Sequence, residues 1–225
     1  METKSAPADN IYGGSCITSF IDRGSVESHR YFLARRTLLE MLRDRGYAVP
    51  DSELCRSLSD FRSSFGDRPA PDRLRFSTHR TTSPTKKILV IFCGTEEIRK
   101  KVILGILLQI VNKESLEKVV LVLQSKMNFY AKKVVDEYPV KVETFQITDL
   151  LINVTKHIAQ PEHEILTAEE KTKLLKAYNI EENQMPRMYQ TDAIARYSGL
   201  KKGQVVMFTH QVPPTGSAVT YRCVV

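Results

Sequence analysis

The sequence predicts an α+β / α/β protein in two parts, and three observations carry that expectation. Two helix-period stretches occupy residues 25–66, three apolar runs of strand length alternate with helical stretches up to about residue 150, and the pattern then changes. Strands alternating with helices imply right-handed crossovers and a largely parallel sheet covered by helices. The last third reads as a small α+β module ending in a β-hairpin. The expected divisions are a flexible tail over 1–24, a helical hairpin plus β/α domain over 25–150, and a compact C-terminal domain over 151–225.

From Val26, Tyr31, Ala34, Leu38, Met41 and Leu42 fall on one helical face, with Ser25 as cap and Gly46 as stop. Leu54, Leu58, Phe61 and Phe65 repeat that spacing in a second helix, for which Asp51 is the expected N-cap and Gly66 the C′ residue. GDRPAPD is a linker, because its prolines forbid a regular interior. KKILVIFCG is continuously apolar and reads as a strand buried on both faces. Thr95 is expected to cap the next helix, with Glu96 and Glu97 in its first turn and Ile98, Val102, Ile106 and Ile110 as its buried stripe. KVVLVLQ, SKMNFYAKKVVDEY and VKVETF then read as strand, helix and strand.

Beyond residue 150, LLINV reads as a strand and PEHEIL as an extended segment. Thr167 to Glu170 form a capping box for a helix running to about Tyr178. Asp192 caps a short helix ended by Gly199, Gly203 closes the following turn, and QVVMFTH and AVTYRCV form a hairpin around PPTGS.

Composition narrows the function classes. The 225 residues are 42% hydrophobic and 26% charged, as in ordinary globular proteins. Val102 to Leu108 is too short an apolar run to cross a bilayer, and the first fifteen residues carry no apolar core of a secretion signal. Four scattered cysteines without a C-x-x-C pair point to reduced thiols in an intracellular protein and away from zinc. The net charge of +7 is spread evenly, with excesses of two, three and two over residues 1–80, 81–150 and 151–225. That even spread gives weak support for autonomous DNA binding, where phosphate-tracking charges cluster.

No catalytic constellation emerges. Gly199-x-x-x-Gly203 lies between helix and strand and is followed by Gln204, so it lacks the order and the Lys-Ser/Thr ending of a phosphate loop. His157 and His163 share no helical face, and Pro161 breaks their segment, so no metal site is expected. Glu96-Glu97, Glu169-Glu170 and Glu181-Glu182 are adjacent pairs whose side chains point apart, unlike an acid–base dyad. No cofactor or small-molecule substrate is expected. The stretch richest in nucleic-acid chemistry is Lys126 to Lys133, where Asn128 can cap a helix at the sheet's C-terminal edge. There Lys126 and Lys132 flank Phe129 and Tyr130, a mixture equally compatible with packed aromatics and solvated lysines.

The segment from Pro161 to Val206 resembles the C-terminal module of the fifth subunit of eukaryotic RNA polymerases, a family with an archaeal counterpart. The resemblance rests on Pro161-Glu162-His163, the E-E-K-x-x-L-L helix, Gln184-x-Pro186-Arg187, and Asp192-x-x-x-Arg196-Tyr197-x-Gly199-Leu200. Gly203-Gln204-Val205-Val206 and the terminal V-T-Y-R of Tyr221 and Arg222 extend it, and MLRDRGY, Met41 to Tyr47, matches the start of the family's N-terminal jaw domain. The chain departs from the family where Ala193 replaces a proline after the aspartate and where Asn128 to Ala131 replace a T-P-S-A turn near downstream DNA. It also departs where His210 to Ser217 replace a basic turn. These departures, with the long tail, are similar to the divergent plant form that serves RNA polymerase V in RNA-directed DNA methylation and gene silencing.

The resemblance implies a noncatalytic nuclear polymerase subunit. Its jaw domain would reach toward downstream DNA through Lys126, Asn128, Phe129, Tyr130 and Lys132. Its assembly domain would dock on the largest subunit and other polymerase subunits through Arg187, Asp192, Arg196, Tyr197, Gly199, Gly203, Tyr221 and Arg222. The alternatives are a free-standing DNA-binding transcription regulator with the same fold and a nuclease on the β/α domain. No Asp/Glu-x-Lys constellation supports the nuclease.

Overall fold

The computed structural model describes residues 24–110, 115–212 and 216–225. The tail through residue 23 and positions 213–215 of the terminal turn lie outside the described residues. Helix α1, Val26–Asp44, starts where the Ser25 hydroxyl accepts from the amides of Glu27 and Ser28. The second helix differs from its sequence reading. It is broken into α2, Asp51–Leu54, and α3, Leu58–Phe65, and Asp51 lies inside α2 behind Pro50 rather than capping it. The break has a local cause: the Ser57 hydroxyl takes the Asp60 amide and the Asp60 carboxylate answers the Ser57 amide, so a new helix begins there. Gly66 ends α3 at φ 83°.

Strand β1, Phe76–Arg80, runs antiparallel to β2, Ser83–Phe92, across a turn, in a stretch to which the sequence reading assigns no element. Helix α4, Lys100–Leu108, β3, Leu116–Leu123, α5, Phe129–Asp136, and β4, Lys141–Gln146, follow. The sheet order is β1-β2-β3-β4, with β2, β3 and β4 parallel. Helix α4 starts later than expected. Ile98 makes a parallel bridge with Met127 and its carbonyl accepts from the Asn128 amide, which keeps the chain extended past Thr95, Glu96 and Glu97. Ile98 and Ile110 of the expected stripe are buried, Ile106 is partly buried and Val102 is exposed, while Ile103 and Leu107 join the buried face.

Both faces of this sheet are covered, which explains its unbroken apolar strands. Ile88, Val90, Phe92, Val120, Val122 and Phe145 pack against α1 and α3 residues such as Tyr31, Leu38 and Phe61. Leu89, Ile91, Val119, Leu121 and Leu123 pack against α4 and α5 on the other side.

LLINV is not a strand. Residues Ile147–Leu150 and Val154–Lys156 are 3-10 turns, and the Asn153 side chain accepts from the Thr155 amide to bend the chain between them. The second sheet then forms from β5, Glu162–Ile165, β6, Arg187–Met188, β7, Val205–Val212, and β8, Gly216–Val224, in the order β5-β7-β8-β6. Helix α6, Ala168–Tyr178, carries the Thr167–Glu170 capping box, and α7, Ala193–Ser198, begins where the Asp192 carboxylate accepts from Ile194. Val206, Phe208 and Val224 pack against α7, while Val205 and Cys223 meet Met185 and the α6 side.

Candidate docking and nucleic-acid interface

The nucleic-acid candidates stand at the C-terminal edge of the parallel sheet. The Ser125 hydroxyl donates to the Glu96 carbonyl at 2.6 Å, tying the β2–α4 and β3–α5 loops together. The Asn128 carboxamide oxygen accepts from the Ala131 amide at 2.8 Å and so opens α5. This geometry turns Phe129 and Tyr130 outward, 76% and 67% exposed, with ring centroids 5.9 Å apart in an edge-to-face pair. Lys126 and Lys132 are exposed and make no ion pair among the described residues, whereas Lys133 approaches Glu137 at 3.8 Å. The helix thus buries Ala131 and Val135 and presents its aromatics, so the packed-aromatic reading does not describe this segment.

The docking candidates divide into two groups. Arg196 and Tyr197 turn inward, to the junction between the sheets. The Arg196 guanidinium bonds the Asp149 carboxylate at 3.0 Å and the Thr144 carbonyl at 2.6 Å, and lies 4.6 Å over the Phe145 ring. The buried Tyr197 hydroxyl donates to Asp44 at 2.6 Å and accepts from Asn153 at 3.1 Å. Burial and then the Asp44 carboxylate raise its pKa. Gly199 ends α7 in the left-handed region at φ 66°, and a Cβ there would sit 3.1 Å from the Arg45 guanidinium.

Sequence reasoning missed the groups that meet these residues. Arg45 donates to the carbonyls of Tyr197 and Arg196 at 2.8 and 2.6 Å and to Glu143 at 2.7 Å. Glu143 also receives Lys118 at 2.9 Å. Burial opposes ionisation of Glu143, but the Arg45 and Lys118 charges outweigh it and hold the carboxyl below its ordinary range. Glu40, buried on α1, accepts from Asn153 and Lys156, both at 2.7 Å, and these bonds likewise overcome burial and lower its pKa. A signal existed: Glu40 stands between Leu38-Leu39 and Met41-Leu42, and a carboxylate drawn into such an apolar helix face needs a partner. Beside this network lies a cavity of about 620 Å³, lined by Met41, Phe145, Leu150, Val154, Arg196 and Tyr197 among others.

The second group faces outward or shapes the second sheet. Arg187 is exposed on β6, and Asp192 is spent on its cap. Gly203, at φ 86°, donates to the Val224 carbonyl at 2.8 Å, and its own carbonyl accepts from Lys171 at 2.7 Å. The two glycines therefore build the turn that leads into β7. Tyr221 is half-buried against Tyr178, with ring centroids 6.5 Å apart, and the exposed Arg222 lies 5.2 Å over Phe208.

Among the described residues no group of three or more His, Cys, Asp or Glu is placed to hold a metal ion. No described helix is long and apolar enough to cross a membrane. Burial pushes the Cys93 thiol up to about 11, so it is protonated at neutral pH. The fold and surface define a two-sheet α+β polypeptide whose buried polar groups serve its own junction and whose exposed features are aromatic, basic and sheet-edge surfaces.

Comparison with known proteins gives that class its family. The family model described as RNA polymerase Rpb5, N-terminal domain, matches residues 25–110, and the one described as RNA polymerase Rpb5, C-terminal domain, matches 152–224. DNA-directed RNA polymerase V subunit 5C of Arabidopsis thaliana is 49% identical over 213 residues, which cover 95% of this chain and 91% of the relative. DNA-directed RNA polymerases IV and V subunit 5B of the same plant is 46% identical over 204 residues, 91% of this chain and 94% of the relative. The similarity reaches animals: the RPABC1 subunit of RNA polymerases I, II and III of Caenorhabditis elegans is 34% identical over 207 residues, 89% and 98% of the two chains. The chain belongs to the Rpb5 family of RNA polymerase subunits.

Proposed function

We propose that this chain is a noncatalytic subunit of a plant nuclear DNA-dependent RNA polymerase of the RNA polymerase V type, acting in RNA-directed DNA methylation and gene silencing. The observation that carries the reading is similarity over nearly the whole length to the Arabidopsis polymerase V subunit, across both sheets. Residues 25–150 serve as the jaw, with Lys126 and Lys132 near the phosphates of downstream DNA and Phe129 and Tyr130 between them. Residues 151–225 dock on the largest subunit through the exposed Arg187 and Arg222 and the half-buried Tyr221. Arg196, Tyr197 and Gly199 act indirectly there, by fixing the angle between the two parts.

Purification of the tagged chain from plant nuclei, followed by mass spectrometry, tests this. A polymerase largest subunit is expected among the recovered proteins, and its identity names the host enzyme. Deletion of residues 193–225 is expected to abolish recovery, and intact complexes with that deletion would overturn the docking assignment. Duplex binding by the isolated chain that falls steeply with salt would instead favour a free-standing regulator.

A further inference from the structure

Three of the four sheet edges are blunted, and one is not. The backbone of residues 46–48 covers part of β1, where the Ala48 amide donates to the His79 carbonyl and the Thr81 amide to the Gly46 carbonyl. On β4, Arg196 occupies the Thr144 carbonyl, and Lys141 and Glu143 bring charge. Strand β5 carries Glu162 and Glu164 behind Pro161. Such devices prevent unwanted strand pairing.

The outer edge of β8 has none of them along Gly216–Tyr221. Strand β6 pairs only with Cys223 and Val224, so Gly216–Arg222 is unpaired on that side among the described residues. The Cys223 amide donates outward to Pro186 and the Val224 amide inward to Gln204. Alternation along the strand therefore aims the amides and carbonyls of Ser217, Val219 and Tyr221 outward. Gly216 to Thr220 are exposed and uncharged, and the edge spans roughly 20 Å at about 3.3 Å per residue. At its end Arg222 is exposed, stacked on Phe208, and without an ion pair among the described residues.

We infer that the outer edge of β8 is a strand-addition site, occupied by an extended segment of another polymerase subunit with small or apolar side chains and one carboxylate placed to meet Arg222. Main-chain hydrogen bonds to Ser217, Val219 and Tyr221 hold the segment, and Arg222 fixes its register. The inference rests on the polymerase-subunit reading above.

The test uses the full chain, tagged and expressed in plant cells, as wild type, Val219→Pro and Val219→Lys. Proline at 219 removes one outward donor without touching the β7 ladder, and lysine places a charge on the edge. Both variants are expected to keep the wild-type circular dichroism melt, and recovery of polymerase subunits is expected to fall by up to about tenfold. In hydrogen exchange, the amides of Ser217, Val219 and Tyr221 exchange freely in the isolated chain and become protected in the complex. Wild-type recovery by both variants, or no protection at these amides, overturns the edge site while the subunit reading stands. If the wild-type chain recovers no polymerase subunit, the subunit reading fails and the edge site with it. An isolated chain that is dimeric as wild type and monomeric as Val219→Pro assigns the edge to a second copy and overturns the proposal.

Discussion

At the scale of single residues, Arg45 ties the molecule together. Its guanidinium is almost wholly buried and satisfies Glu143 and the carbonyls of Arg196 and Tyr197 at once. Replacing one partner of a buried pair leaves the other charged and unpaired, a loss of about 3–5 kcal/mol. Arg45→Met is therefore expected to lower unfolding stability by roughly that amount in urea titrations. Lys118 remains beside Glu143 and tempers the loss. Adding Glu143→Gln to Arg45→Met removes the buried carboxylate that has lost one of its two cations, and the double variant is expected to be more stable than the sum of the single losses. Strictly additive losses would show that the pair contributes no coupling.

At the scale of elements, two helix starts combine a side-chain cap with a first residue other than proline. Phe129 and Ala193 are the first residues of α5 and α7, each preceded by a side-chain cap at Asn128 or Asp192. Proline suits that position, because its fixed φ is helical and the missing amide is not needed. Ala193→Pro and Phe129→Pro are each expected to raise stability by about 0.5–1 kcal/mol, read as a higher urea midpoint with an unchanged slope. A lowered midpoint would mean that the first-turn backbone cannot accept the ring. The same caps show what was legible in the sequence. Ser25, Thr167, Asp192 and Gly199 announced their helix ends because a cap is a local interaction between near neighbours. The start of α4 and the turns at 147–156 were illegible, because tertiary partners decide them: Met127 for Ile98, and Glu40 with Tyr197 for Asn153. Strand β1 escaped notice because FSTHR is half-buried and short, so its hydropathy resembles a loop. The candidate residues could be named from their chemistry, but the inward course of Arg196 and Tyr197 depends on Arg45, Asp44 and Asp149, which lie far away in sequence.

At the scale of the whole molecule, the two sheets are coupled through polar contacts beside the apolar contact of Tyr197 and Val154, and low pH loosens the polar ones. Asp44, Glu40 and Glu143 face Tyr197, Lys156 with Asn153, and Arg45 across or beside the junction. Glu40 and Glu143 have folded pKa values below their ordinary ones. The unfolded chain then binds more protons than the folded chain, so their contribution is full above the ordinary glutamate value of about 4.3 and is lost as pH falls through the folded values. Near neutral pH the protein is expected to melt in one calorimetric transition, because the junction transmits unfolding of either sheet to the other. Below about pH 4 the transition is expected to broaden or split. The lower step should belong to the second sheet, whose core is smaller and leans on the first through Tyr197 and Val154. Arg45→Met combined with Tyr197→Phe removes the Arg45 and Tyr197 ties at neutral pH, leaves those of Arg196 and Glu40, and should broaden the transition toward that split. A single sharp transition for that double variant, at both neutral and acid pH, would mean that the Arg196 bonds and the apolar contact around Tyr197 and Val154 suffice to make the two parts unfold as one.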